Sequence, residues 1–221
     1  EKLIKYMDID AKFIQPSYKD FKINTDEISS AIDDHTIGVI AIMGNHYGGQ
    51  YDPVWEVNDV VEKVNKDRGF QVGIHIDAAS GGFVAPFQEE LPGWDFRLKN
   101  VLSISASGHK FGESCIGTGW VVWRQRENLS DHVAISVSYL GGMGESYNLN
   151  FSRPASGIYV QYYKFLRYGI SGYQKICEHM MTHAHKIREG LGKMKFEGKP
   201  RFIILDDGDK NCLPVVTAML N

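Results

Sequence analysis

The sequence is poor in cysteine and contains neither a long apolar run nor a block of like charges. Its three cysteines, Cys115, Cys177 and Cys212, are widely spaced and match neither a disulfide framework nor a zinc-binding spacing. No apolar run is long enough to cross a membrane, and the first residues do not resemble a signal peptide. The net charge of −3 gives no indication of a nucleic-acid partner or an anionic membrane. We therefore expect a cytoplasmic protein.

Hydrophobic residues make up 43% of the chain, which is enough to form a sizeable core. Apolar runs at residues 37–43, 71–77 and 101–105 predict strands, and the first has the composition of a strand buried on both faces. Between the first two runs, valines recur at helical spacing after Pro53 and before Gly69. This alternation predicts an α/β fold with a mainly parallel sheet.

Further elements are predicted on either side of these strands. A helix is expected over residues 25–32, with Asn24 or Thr25 as its N-cap. Residues 120–123 and 133–137 have the pattern of two more strands, which could pair antiparallel. The second half of the chain predicts two long helices, at residues 155–168 and 172–194, and then a last unit that begins at Phe202.

Three predicted strand ends combine small residues with polar ones, at residues 44–49, 77–82 and 105–112. Ligands of open parallel sheets bind outside the carboxyl ends of the strands. Small residues let a flat ligand or a phosphate approach the backbone, and the polar groups can hold it. We therefore expect a ligand site at this edge of the sheet.

The second and third strand ends suit one particular cofactor, pyridoxal phosphate. It needs an amine to bind its aldehyde, an acid beside its pyridine nitrogen and donors for its phosphate. Lys110 can supply the amine, and Asp77 can supply the acid. Ala79 would face the same side as Asp77 and could pack on the ring. Ser107 and His109 flank the lysine and could donate to the phosphate.

Other interpretations of single residues remain open at this point. Asp77 could be a helix cap or an ion-pair partner, and Lys110 a solvated loop cation. Residues 78–82 form a loose nucleophile-elbow pattern but lack the helix that should follow it. The histidines at 179, 183 and 185 could be imagined as zinc ligands, although a solvated helix face explains them better. The aromatic residues at 162–168 indicate core packing or a subunit interface.

Several longer motifs resemble the glutamate decarboxylases, which are group II pyridoxal-phosphate-dependent decarboxylases. The matching segments occur in the family's order and spacing over nearly the whole chain. They are IHIDAASGGF at residues 74–83, WDFR at 94–97, SISASGHKFG at 103–112, YLGG at 139–142 and NFSRPA at 150–155. The resemblance implies the large domain of a fold-type-I pyridoxal-phosphate enzyme, with helices on both faces of its sheet. That large domain would cover residues 1–195, and residues 196–221 would begin a smaller C-terminal domain.

The resemblance also implies roles for individual residues. Lys110 matches the lysine that binds the cofactor covalently, Asp77 the partner of the pyridinium and Ala79 the alanine that packs on the ring. Ser107 and His109 match residues near the phosphate. The remaining matches are Phe151 and Ser152, which would reach the cofactor of a neighbouring subunit, and Tyr139, on a mobile loop that closes over that site. His46 departs from the family, because relatives commonly have a threonine there that contacts the cofactor.

The implied reaction is α-decarboxylation of L-glutamate to 4-aminobutyrate and carbon dioxide, in a homodimer or higher homo-oligomer with shared sites. The chain is about half as long as a family member, so we expect it to be a fragment. Three alternatives stay open: another lyase of the same fold, a decarboxylase of aromatic amino acids, and a truncated, non-catalytic domain that binds a partner.

Overall fold

The computed structural model describes residues 2–17, 20–138, 141–148, 150–206, 208 and 211–221. Its central feature is a four-stranded sheet with the order β1 (Gly38–Ile42), β2 (Gly73–Asp77), β3 (Val101–Ser107) and β4 (Gly119–Trp123). The first three strands are parallel, and β4 pairs antiparallel with β3. The predicted parallel sheet is therefore confirmed, as is the strand at residues 120–123.

Three helices precede or connect these strands: α1 (Lys2–Tyr6), α2 (Thr25–Ala31) and α3 (Val54–Arg68). The Asn24 side chain caps α2 by accepting a hydrogen bond from the Asp26 backbone N–H. Gly69 ends α3 with a φ of 71°, a left-handed conformation that glycine adopts without steric cost. The predicted helix at 25–32 and the helix between Pro53 and Gly69 are thus confirmed.

The main core lies between the sheet and the helices α2 and α3. From α3 it takes Val57, Val61 and Val64, and from the sheet Ala41 and the isoleucines of β2, all of which are buried. The opposite side of β1 is open in the described part of the chain, since Ile40 is 51% exposed and Ile42 is 42% exposed. The prediction that this strand is buried on both faces is therefore wrong for these residues. An apolar run cannot show which of its faces a neighbour covers.

Residues 133–137 form only a short strand, β5 (Ile135–Val137), after a 3₁₀ turn over Asp131–Val133. This strand pairs antiparallel with β6 (Gly144–Ser146) and not with β4. The prediction of a strand is confirmed for its last three residues. The partner strand, β6, is a short segment that lacks the composition typical of a strand.

The helical stretch α4 (Ser156–Lys193) is interrupted at Gly169, whose φ of 56° and ψ of −166° are not helical. The interruption confirms the prediction of two successive helices in this region. Among the described residues, no helix is both long and apolar enough to cross a membrane.

In the described part of the C-terminal segment, four short strands form two antiparallel pairs. They are β7 (Lys195–Phe196) with β8 (Lys199–Pro200), and β9 (Phe202–Ile204) with β10 (Ala218–Leu220). An ion pair joins Arg188 of α4 to the buried carboxylate of Asp206. Leu213 is 3% exposed and belongs to the main core. The segment is therefore packed on the rest of the chain.

Candidate functional site

The ends of β1, β2 and β3 lie side by side, because Ile42 pairs with Asp77 and Asp77 pairs with Ser105. Backbone hydrogen bonds continue this alignment past the strands. The Met43 N–H donates to the Asp77 carbonyl at 2.9 Å, and the Ala78 N–H donates to the Ser105 carbonyl at 2.9 Å. The three predicted ligand-binding strand ends therefore share one edge of the sheet.

Asp77 is half-buried at the last position of β2. Its Oδ1 accepts a hydrogen bond from the Ala79 backbone N–H at 3.0 Å. Ala78 is fully buried on the core side, whereas Ala79 is half-buried, so the alternation of the strand continues beyond its last residue. The Ala79 carbonyl in turn accepts a hydrogen bond from the Ser107 backbone N–H at 3.1 Å. Asp77 and Ala79 thus lie beside the end of β3.

Lys110 is in the turn that follows β3, and its side chain is exposed. The turn is closed by the Lys110 N–H, which donates to the Ser107 carbonyl at 3.2 Å. The Lys110 Nζ donates to the Ser80 hydroxyl at 3.3 Å. This contact brings the amine to the loop that carries Asp77 and Ala79. Sequence reasoning did not identify Ser80 in this role, because only the fold brings the two loops together.

His109 turns toward β4. Its Nδ1 lies 2.8 Å from the backbone carbonyl of Thr118. Because a carbonyl oxygen can only accept, Nδ1 carries the proton in this contact. The orientation of the ring is therefore fixed by a backbone group, and Nε2 remains on the other side of the ring.

Helix α4 packs against the turn that contains Lys110, and a buried glutamine of the helix contacts this turn. The Gln161 side chain is fully buried, and its Nε2 donates to the Gly112 carbonyl at 2.9 Å. The Tyr173 hydroxyl donates to the same carbonyl at 3.3 Å, and the Tyr173 ring stacks on Phe87 at 5.5 Å. Sequence reasoning missed Gln161. In the sequence, the one indication of this role is that Gln161 stands alone as a glutamine within an aromatic stretch at helical spacing.

A second polar group accompanies Asp77 on the same face of β2. His75 is half-buried, with Nδ1 2.7 Å from the Ser103 hydroxyl and Nε2 3.3 Å from the Ser105 hydroxyl. Burial lowers the pKa of His75, and the negative charge of Asp77 raises it. Sequence reasoning also missed these contacts, since they depend on the register between β2 and β3.

The remaining predicted residues lie in loops. His46 follows β1, is exposed and stacks on Tyr47 with ring centroids 4.6 Å apart. Phe151 and Ser152 are exposed in the segment before α4, and Phe151 is 69% exposed. Tyr139 lies outside the described residues.

The donor set at the strand ends fits pyridoxal phosphate. It offers an amine on Lys110, a carboxylate on Asp77, and hydroxyl groups on Ser80 and Ser107, all at the carboxyl edge of parallel strands. The alternatives in the sequence find less support. Within the described residues, no group of three His, Cys, Asp or Glu side chains could hold a metal ion. Two three-residue 3₁₀ turns, Gly81–Phe83 and Ala85–Phe87, follow Ser80, where a nucleophile elbow needs a helix.

Two solved structures place this architecture in a known class. The glutamate decarboxylase of Lactobacillus brevis superposes with a TM-score of 0.91 and 41% identity, over 100% of this chain and 48% of that chain. The sphingosine-1-phosphate lyase of Burkholderia pseudomallei shares the fold, with a TM-score of 0.80 and 22% identity. The chain has the fold of the fold-type-I pyridoxal-phosphate enzymes, as predicted.

The sequence comparisons are more specific. The pyridoxal-dependent decarboxylase conserved domain matches residues 1–213. Glutamate decarboxylase of Lactococcus lactis is 43% identical, and the match covers 98% of this chain and 45% of that protein. Glutamate decarboxylase 5 of Arabidopsis thaliana is 38% identical, and the match covers 94% of this chain and 42% of that protein. The chain belongs to the pyridoxal-dependent decarboxylase family, which confirms both the predicted family and the predicted cofactor. It spans about half the length of the curated relatives it matches.

Proposed function

We propose that the protein containing this chain decarboxylates L-glutamate to 4-aminobutyrate and carbon dioxide with pyridoxal phosphate. The observation that carries the proposal is the placement of an acid and an amine at adjacent strand ends. Asp77 ends β2, and the Lys110 amine reaches Ser80 of the loop that follows it, at 3.3 Å. The names of the relatives support glutamate as the substrate.

Lys110 would hold the cofactor through its ε-amine. The contact with Ser80 supports this role, because it directs the amine toward the loop that contains Ala79. Ala79 would support the pyridine ring through its methyl group. Ser107 and His109 bind the phosphate, and His46 contacts the cofactor where relatives commonly have a threonine.

Asp77 holds a proton on the pyridine nitrogen through its negative charge. Its Oδ1 is bonded to the Ala79 N–H, which fixes the carboxylate at the end of β2. When bound, pyridoxal phosphate takes up the electron pair that remains on the α-carbon as the carboxylate leaves. The net reaction breaks the bond between the α-carbon and the carboxylate, releases carbon dioxide and places a proton on the α-carbon.

The protein acts as a homodimer or higher homo-oligomer whose sites are shared between subunits. Phe151 and Ser152 extend to the partner's cofactor, which accords with their exposure in the segment before α4. Tyr139 lies outside the described residues, and the role proposed for it is to exclude water from the neighbouring site and position a proton donor.

Residues 1–195 form the large domain, and residues 196–221 begin the C-terminal small domain. The end of α4 at Lys193, shortly before the short antiparallel strands begin, supports a boundary near this point. We also propose that the protein acts in the cytoplasm. Cys115 and Cys177 form no disulfide, which accords with a reducing compartment.

The first experiment maps the cofactor-binding lysine. The purified protein is incubated with pyridoxal phosphate and reduced with borohydride, and the modified residue is identified by mass spectrometry. We expect selective labelling of Lys110. The Lys110→Ala variant should lose this label, whereas Lys99→Ala, which removes an exposed lysine paired with Glu62, should keep it. Labelling spread over surface lysines, or none, would contradict the proposed site.

The second measurement addresses the substrate. Carbon dioxide release is compared for L-glutamate, L-aspartate and the aromatic L-amino acids at equal concentration. We expect L-glutamate to be preferred and 4-aminobutyrate to be the product. Preference for an aromatic amino acid would refute the glutamate assignment and leave the assignment of Lys110 in place.

A further inference from the structure

A row of polar side chains crosses β2 and β3 and leads to Asp77. The parallel register pairs His75 with Ser103 and Asp77 with Ser105, so all four side chains lie on one face of the sheet. The His75 ring bridges the two serines, with Nδ1 2.7 Å from the Ser103 hydroxyl and Nε2 3.3 Å from the Ser105 hydroxyl. Ser105 therefore stands next to both His75 and Asp77.

We propose that His75 is a positioning residue that holds the Ser105 hydroxyl beside Asp77, the acid proposed to face the pyridine nitrogen of the cofactor. The proposal rests on the proposed function, because it deepens the role of Asp77. His75 is not placed in contact with the cofactor. It acts on Asp77 alone.

The chemistry of the row suits this role. A serine hydroxyl can donate or accept, so Ser103 and Ser105 can satisfy either tautomer of His75 and also its protonated form with small rotations. The ring is thus held in place whatever its protonation state. The hydrogen bonds between His75 and the two serines lie in a partly buried position, where the low local dielectric strengthens them.

The electrostatic effects on His75 show that it interacts with Asp77. Burial lowers the pKa of His75, and the charge of Asp77 raises it. The residues that pair with His75 are Ile40 on β1 and Ser103 on β3, and neither titrates near neutral pH. Asp77 is therefore the charged group that acts on the ring. Burial is the larger of the two effects, so the pKa of His75 lies below its ordinary value.

The test without cofactor follows the imidazole resonance of His75 by NMR as the pH is varied. In Asp77→Asn, the pKa of His75 should fall below its wild-type value, because the anion that favours the imidazolium is gone. In Asp95→Asn, which neutralises an aspartate paired with Arg97, the pKa of His75 should not change. Identical His75 titrations in wild type and Asp77→Asn would overturn the proposal. This result does not depend on whether the protein binds pyridoxal phosphate.

The test with cofactor measures the dissociation constant of pyridoxal phosphate and the pH dependence of its visible absorbance. Ser105→Ala and His75→Phe should each weaken binding up to about tenfold, the scale of one lost hydrogen bond, and should shift the pH dependence. His75→Gln, which retains a polar group, should recover part of the loss. Ser130→Ala, on an exposed turn, is the control that should bind normally.

The two measurements separate the possible failures. If the wild-type protein binds no pyridoxal phosphate but His75 responds to Asp77, the proposed function fails and the coupling stands. If the cofactor binds normally in Ser105→Ala and His75→Phe, with an unchanged pH dependence, His75 has only a structural role. The serine variant also gives an answer if His75→Phe does not fold.

Discussion

Asp77 is the residue whose charge the proposed chemistry requires, and the amide of asparagine nearly matches its shape. In Asp77→Asn we expect Lys110 to remain labelled after borohydride reduction, because the amine is untouched. Turnover of L-glutamate should fall by about 10²–10³-fold, the scale of removing one pre-positioned electrostatic group. The measurement is the rate of 4-aminobutyrate formation at saturating L-glutamate and cofactor.

The control for this variant is again Asp95→Asn, which removes a carboxylate from an ion pair with the partly exposed Arg97. This change should leave the rate unaltered. Wild-type activity in Asp77→Asn would remove Asp77 from its proposed role. Loss of the Lys110 label in that variant would instead show that the asparagine disturbs cofactor binding.

The chemistry-bearing residues differ in how far the sequence could identify them. Lys110 and Asp77 could be predicted because each follows an apolar strand, and the chemistry of the cofactor demands an amine and an acid. Ser80, His75 and Gln161 could not, because their contacts are made across strands or between a helix and a turn. Such contacts depend on register and packing, which a local pattern does not contain.

At the scale of elements, the parallel strands and α3 follow from local patterns, and their observed limits lie within about two residues of the predicted ones. The partner of β5 could not be predicted, since pairing is a long-range choice and β6 has little strand character. Whether the second face of β1 is buried likewise depends on which elements pack against it. Local composition thus determines that a strand forms, and tertiary contacts determine its neighbours.

Gly169 provides a test of the break in α4. Its φ of 56° and ψ of −166° belong to a region that is essentially restricted to glycine, although open space surrounds the position of a Cβ atom. Gly169→Ala should therefore lower the free energy of unfolding by about 1–3 kcal/mol through backbone strain. Urea denaturation followed by circular dichroism measures the change.

Gly190 is the matched control within the same helical stretch. It also has open space around the position of a Cβ atom, but it has ordinary helical geometry. Gly190→Ala should raise the free energy of unfolding by about 0.5–1 kcal/mol, because alanine favours the helix. If both substitutions stabilise the protein, α4 is a continuous helix in solution and the assigned break at Gly169 is wrong.

At the scale of the whole molecule, the first part of α4 carries an unusual exposed apolar face. Ile158, Tyr162 and Leu166 recur every fourth residue, and each is between 57% and 69% exposed. A contiguous apolar face of this kind marks an interaction site more often than a solvated surface. The face follows directly after Phe151 and Ser152, which we propose to reach the partner's cofactor.

We therefore expect α4 to form part of the subunit interface. A substitution that introduces one charge into this face should then weaken the association of the subunits. Sedimentation equilibrium of the wild-type protein should give a dimer or a larger assembly at micromolar concentration. Leu166→Glu should weaken association by at least about tenfold, since a carboxylate would be buried in an apolar contact without a partner. Lys175→Glu changes the charge at an exposed position further along α4 and should associate as the wild type does. A wild-type protein that remains monomeric, or equal association of both variants, would show that shared active sites are not formed through this face.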